Sequence, residues 1–315
     1  MSSILTNNSA MSALSTLRNI NSNLNSTQDR ISTGLKVSSG KDNAAYFAIS
    51  ETMKGDSGMT KAVNESLTLT KNSVATARLG AEQFSDLATE FRDKVAFAQE
   101  NKGGLDEIES DLTRLVADMS AILSQSTFNG DDLVNAAGKQ ADGTTDASAD
   151  SAFAADGTYT AETGASAAGG ARTIVTGISR DSAGALTTTT ISVTPVDLNA
   201  QKEMFRAIAD GFAAKAGSAT GEAYLSAVLS SADTATKATV DAATSLGQSE
   251  KSIERQQEFL TKLSDNLDAG VGAMVDANME EEAARLQALQ VQQQLASQSL
   301  SIANQAPQNI LSLFR

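Results

Sequence analysis

Charge is almost absent from both ends of this chain, although each end carries a helical stripe of apolar residues. Residues 1–28 hold one charged side chain, Arg18, and residues 283–315 hold two, Arg285 and Arg315. All 38 acidic residues and all but three of the 24 basic ones lie between. The ends sum to +3, so the middle must carry −17 to give the net −14. A solvated helix face normally carries Lys and Glu, which pair at i,i+4. These ends use Asn, Gln, Ser and Thr, which hydrogen-bond without a large desolvation cost when water is removed. That composition suits helices covered by other protein on most sides.

The rest of the composition narrows what such helices can build. Aromatic residues make up only 4% of the chain and Trp is absent. Large aromatic side chains supply much of the burial in compact cores, so their scarcity favours slender helical packing along Ala and Leu seams. Two prolines, Pro195 and Pro307, leave long tracts free of helix breakers. The absence of Cys excludes disulfides and thiolate metal sites. The absence of His removes the commonest general base and the commonest metal ligand. The acidic balance argues against nucleic acid. The opening MSSILTNNSAMSALS has no basic n-region or unbroken apolar h-region, so a Sec signal is not expected. No apolar stretch approaches membrane-spanning length.

Spacing organises these helices. The first stripe, Ala10, Leu14, Leu17, Asn21, Leu24, Gln28, Ile31 and Leu35, alternates steps of four and three, which is heptad spacing with polar Asn21 and Gln28 in the seam. Gly34, Ser38-Ser39 and Gly40 interrupt it. A longer frame follows through Tyr46, Ile49 and Met53, then Val63 to Ala98, weakening near Gly55 and Gly58 and stopping at Asn101–Gly104. Asp106 with Glu109 resembles a capping box ahead of Ile108, Leu112, Leu115, Met119 and Ile122. Phe128-Asn129-Gly130-Asp131 reads as a turn. Residues 136–200 become small, acidic and turn-rich, with strands expected over 172–176 and 188–194 and a helix returning over 201–216. A last frame runs from Leu225 to Met274 and its count continues through Ala284, Ala288, Val291, Leu295 and Ile302. Glu281 falls on that frame, which predicts a break or change of partner there, and Pro307 predicts the end of the helix.

The expected fold is mainly α: long antiparallel helices in a coiled-coil bundle, terminal helices, and a small β-containing central insertion. Its expected parts are 1–42 with 278–315, 43–135 with 201–277, and the insertion 136–200. Pairing of the two halves would bring the ends together and put the insertion at the far tip.

Several segments of this chain resemble bacterial flagellin. Asp29-Arg30-Ile31-Ser32-Thr33-Gly34-Leu35 with Lys41-Asp42-Asn43-Ala44-Ala45-Tyr46-Phe47-Ala48-Ile49-Ser50 is similar to the family's "R-L-S-S-G … D-D-A-A-G-L-A-I-S". Ala303-Asn304-Gln305-Ala306-Pro307-Gln308-Asn309-Ile310-Leu311-Ser312-Leu313-Phe314-Arg315 is close to "A-N-Q-x-P-Q-N-V-L-S-L-L-R", and Thr127-Phe128-Asn129-Gly130 matches "T-x-F-N-G". The resemblance implies a polymer whose terminal helices line the filament lumen, whose long helices form the next shell and whose insertion faces outward. It implies export, unfolded, by the flagellar type III apparatus with a chaperone, assembly under the filament cap for swimming motility, and contact with hook–filament junction proteins. A junction protein of the same apparatus is the alternative. In members detected by the animal innate flagellin receptor, a motif like "Q-R-V-R-E-L-A-V" occupies the stretch that here reads Thr89 to Ala96. This chain keeps Arg92 and an acid at Asp93 but has Glu90 and Lys94 in place of Arg and Leu, which weakens the likeness at that site.

The candidate assembly interface is therefore Leu14, Leu17, Asn21, Leu24, Gln28, Ile31 and Leu35 at one end. At the other it is Leu289, Val291, Leu295, Leu300, Ile302, Leu311, Leu313, Phe314 and Arg315. No catalytic, cofactor-binding or metal residues are expected. The Asp142, Asp146, Asp150 and Asp156 series lacks the D-x-[DN]-x-[DN]-G loop and closing Glu of a calcium site; no G-x-S-x-G or S-x-x-K context sits on a strand-to-helix turn, and no Walker A or G-x-G-x-x-G occurs.

Overall fold

A computed structural model describes residues 7–135, 152–160, 171–180 and 184–313, with side chains through 305 in the last stretch. The elements are α1 (Asn8–Thr33), α2 (Ala44–Glu100), α3 (Leu105–Gln125), β1 (Thr127–Phe128), β2 (Asp131–Asp132), β3 (Ala152–Phe153), β4 (Tyr159–Thr160), β5 (Arg172–Arg180), β6 (Leu186–Val193), α4 (Leu198–Ala209), α5 (Phe212–Ala216), α6 (Gly221–Val275) and α7 (Met279–Leu313). The chain is mainly α, with short antiparallel strand pairs β1–β2, β3–β4 and β5–β6. It divides into a unit of residues 1–58 with 263–315 and a unit of residues 59–262.

In the second unit the expected α2 stripe is the core. Leu67, Val74, Ala77, Ala81, Phe84, Ala88, Phe91, Val95 and Ala98 are all buried, and α6 answers with Leu225, Val228, Ala232, Ala235, Leu246 and Ile253. The few aromatics are concentrated here: Phe205 of α4 lies 4.9 Å from Phe91 and 6.3 Å from Phe84 between ring centres. Phe212 packs 6.0 Å from Tyr224, whose hydroxyl donates to the Ile208 carbonyl at 3.1 Å. Burial, with Glu109 and Asp210 nearby, pushes the Tyr224 phenol well above its ordinary range.

Three expectations change in this unit. The capping box does not form: Gly104, with φ +88°, is the N-cap of α3 and makes no side-chain cap bond. Glu109 instead accepts from the Ala213 amide at 2.7 Å, satisfying a free donor in the first turn of α5. The helix expected over 201–216 is two helices, because the chain turns through Gly211 at φ +62°. The strands are longer than their Thr- and Val-rich cores suggested, and Phe153, Ile174 and Val193 are buried in the same core as Phe84. The Phe128–Asp131 turn forms as expected, with Asn129 at φ +51° and Gly130 at +79°; Asp131 closes it by accepting from Ser73 Oγ and pairing with Arg172.

The first unit comprises α1, the opening of α2, the end of α6 and α7. Gly34 ends α1 in the left-handed region at φ +73°, its amide reaching the Arg30 carbonyl at 2.8 Å. The chain then runs beside the end of α6: Lys36 donates to the Val275 carbonyl at 2.6 Å and Ala277 to the Gly34 carbonyl at 2.9 Å. Val37, Val271 and Val275 form a small core with Leu35, Phe47, Met53 and Met274 packed against it. Asp42 holds the Ser38–Ser39 turn through both backbone amides and both hydroxyls, which keeps its carboxyl below the usual carboxylate range. Asn43 then caps α2 by accepting from Tyr46 N at 3.1 Å. Tyr46 and Ile49 are exposed instead of continuing the α2 stripe.

Candidate assembly interface

The seam between α1 and α7 uses one face of each helix, and a count in threes and fours can start on either of two faces. On α1 the covered positions are Ala10, Ala13, Leu17, Ile20, Leu24, Thr27 and Ile31. This frame shares Ala10, Leu17, Leu24 and Ile31 with the sequence stripe but replaces Leu14 and Gln28, which are exposed, by Ile20 and Thr27. Asn21 is half-buried at the seam edge, where its Oδ1 accepts from Gln293 Nε2 at 2.7 Å. Leu35 belongs to the small valine core.

On α7 the covered frame is Glu282, Leu286, Leu289, Gln293, Ala296, Leu300 and Ala303. Leu289 and Leu300 lie on it. The stripe continued from α6, Ala284, Ala288, Val291, Leu295 and Ile302, lies on another face and is exposed throughout; Val291, Leu295 and Ile302 are 55%, 59% and 69% exposed. The frame fails to continue because the chain breaks at Asp276–Asn278, between α6 and α7. Glu281 is exposed, and the seam carboxylate is Glu282, which pairs with Arg30 at 3.2 Å. Pro307 does not end α7, which runs on to Leu313. The side chains of Leu311 and Leu313, and all of Phe314 and Arg315, lie outside the described residues.

Pattern counting missed Ile20, Thr27, Leu286, Ala296, Glu282 and Asn7. A usable signal was present for one pair: Arg30 and Glu282 each lie at the margin of a nearly uncharged end, with opposite signs. Asn7 caps α1 by accepting from Ala10 N at 3.0 Å and donates from Nδ2 to the Ala303 carbonyl at 2.8 Å.

Elsewhere, Arg92 contacts Asp93 and Asp233, Lys94 pairs with Asp111 at 2.6 Å, and Glu90 is exposed. Asp142, Asp146 and Asp150 lie outside the described residues, while Asp156 accepts from the Thr158 amide at 2.9 Å to close the β3–β4 turn. Among the described residues no group of three or more acidic side chains could hold a metal, and no helix is long and apolar enough to cross a membrane.

Fold and seam together define a long-helix structural protein whose paired end helices keep an apolar stripe uncovered. Residues 4–141 match the bacterial flagellin N-terminal helical region and residues 229–314 the bacterial flagellin C-terminal helical region. The whole chain aligns over the full length of a flagellin from Brucella melitensis biotype 1 at 36% identity and of flagellin C from Rhizobium meliloti at 35%. A solved flagellar hook-associated protein from Vibrio parahaemolyticus overlaps 76% of this chain and 99% of its own, at 12% identity and a TM-score of 0.43, too loose a fit to bear on function. The chain belongs to the bacterial flagellin family, and its role is that of a flagellar filament subunit.

Proposed function

We propose that this chain polymerises through its paired end helices, the covered seam joining α1 to α7 within a subunit and the second stripe of α7 meeting other copies. The observation that carries this is the exposed line of Val291, Leu295 and Ile302 on a helix whose opposite frame is already occupied. Contiguous exposed apolar surface disfavours the isolated chain. Covering the remaining area of each side chain contributes roughly 1 kcal/mol, repeated at every subunit. The listless charge pattern of the ends fits the same reading, since there is little charge to desolvate.

On this reading the chain is a structural protein and not an enzyme. It is secreted unfolded by the flagellar type III apparatus with a chaperone, and is added beneath the filament cap beyond the hook–filament junction. Residues 1–42 with 278–315 form the filament core, 43–135 with 201–277 the surrounding shell, and 136–200 the outer surface. Leu14, Gln28, Leu311, Leu313, Phe314 and Arg315 join the exposed stripe in contacts between copies. Concentrated protein seeded with sheared filament fragments should form long filaments that sediment and are visible by electron microscopy. A chain that stays monomeric under seeding would refute the proposal.

A further inference from the structure

Heptad seams made of Leu and Ala specify register weakly, because sliding one helix by seven residues presents nearly the same surface. Three polar ties are staggered along the α1/α7 seam: Asn7 with the Ala303 carbonyl, Asn21 with Gln293, and Arg30 with Glu282. Moving 14 and then 23 residues up α1 from Asn7, to Asn21 and Arg30, corresponds to moving 10 and then 21 down α7 from Ala303, to Gln293 and Glu282, so the three ties follow one another in antiparallel order.

The first tie differs from the others because its acceptor is backbone. Inside an α-helix each carbonyl is normally engaged by the amide four residues on. Proline has no amide hydrogen, and Pro307 is four residues beyond Ala303. It is the only proline in α7. The helix therefore carries, well before its last turn, one carbonyl without its helical donor, and the Asn7 side chain lies 2.8 Å from it. The orientation of the Asn7 amide is fixed from its other side: Ala10 N–H requires the oxygen at 3.0 Å, which turns the nitrogen toward Ala303.

We propose that Pro307 marks a single position on α7 by freeing the Ala303 carbonyl, and that Asn7 reads that mark, setting the register in which the two end helices pair. The proline does not stop the helix; it creates an acceptor inside α7 that a slip of one heptad back to Ala296 cannot supply to Asn7. Asn7 is a positioning residue, and the same side chain starts α1, so formation of the helix and choice of register are coupled.

The test uses the full chain with spin labels on Ser12→Cys and Ser299→Cys, two positions lining one groove between α1 and α7 in a protein with no native Cys. Asn7→Asp keeps an N-cap acceptor but removes the donor. Pro307→Ala returns a helical partner to Ala303. The parent should give one narrow label distance in sedimented polymer. Asn7→Asp should add a second population displaced by about 10 Å, one heptad at 1.5 Å per residue. Pro307→Ala should do the same, and the double variant should be no more heterogeneous than either single one. A single unchanged distance in Asn7→Asp or in Pro307→Ala overturns the proposal, as does a double variant whose effects simply add. A parent that fails to sediment counts against the filament reading alone, and its label distances in solution then decide the register question by the same criteria.

Discussion

Gln293 donates its side-chain amide to Asn21 Oδ1 at 2.7 Å, making a polar crosslink in the middle of a seam whose other covered positions, apart from Thr27 and Glu282, are Leu, Ile and Ala. A polar pair in such a seam lowers stability relative to two apolar residues but disfavours other registers. Asn21→Ala and Gln293→Ala should each weaken the assembled polymer by about 1 kcal/mol. The double variant should cost less than the two combined, with a coupling of at least 0.5 kcal/mol or so in denaturant-induced disassembly. Strict additivity would show that the two amides act independently.

Gly80 of α2 faces Ser126 so closely that a Cβ there would overlap Ser126 Oγ. That hydroxyl is held in place by donating to the Ile122 carbonyl at 2.6 Å. Gly80→Ala should lower the stability of the folded chain by roughly 1–3 kcal/mol despite the helix propensity Ala gains. Adding Ser126→Gly should recover most of the loss. Thermal melting of the four chains reads this directly.

Glu203 sets an acid limit on the long-helix unit. Burial pushes its carboxyl up, but hydrogen bonds and charge from Arg206 at 2.6 Å and Lys202 at 2.9 Å outweigh that and leave it below the ordinary value of 4.5. A carboxyl lowered in the folded state binds its proton more readily when unfolded. Its stabilisation is therefore fully present above pH 4.5 and is lost as pH falls through the lower folded value. Wild-type melting temperature should fall through this window, and Glu203→Gln should show a shallower fall and a lower melting temperature at neutral pH. Equal slopes would exclude Glu203 as a contributor.

Much of the long-helix unit was legible in the sequence because burial and period agreed. From Leu67 to Ala98 one face of α2 is apolar and the core covers that face. The Gly34 break and the Asn129-Gly130 turn were legible for a related reason: both glycines sit at positive φ, where side chains are disfavoured. The end helices were harder. Their polar faces carry Asn, Gln and Ser instead of Lys and Glu, so hydrophobicity alone gives two competing frames, and tertiary contact selects Ile20 and Thr27 over Leu14 and Gln28. The role of Glu109 was also hidden, because its partner, Ala213 N, is 104 residues away. Pro307 was misjudged on local grounds: a lost amide argues for a helix end, while the donor that meets the freed carbonyl comes from Asn7, 296 residues earlier.

On the proposed assembly α7 has two working faces, and one substitution on each separates them. Leu289 lies in the seam with α1, whereas Leu295 is 59% exposed. Leu295→Asp should leave the circular dichroism and melting of the soluble chain unchanged, yet reduce sedimentable polymer at least tenfold in seeded assembly, because an unpaired carboxylate in a covered interface costs several kcal/mol. Leu289→Asp should lose polymer as well, with loss of the α1/α7 pairing seen as faster hydrogen exchange in α1. The decisive measurement is seeded sedimentation of Leu295→Asp beside the parent chain. Loss of polymer with an intact fold is the predicted result; filaments at parental yield would contradict the account.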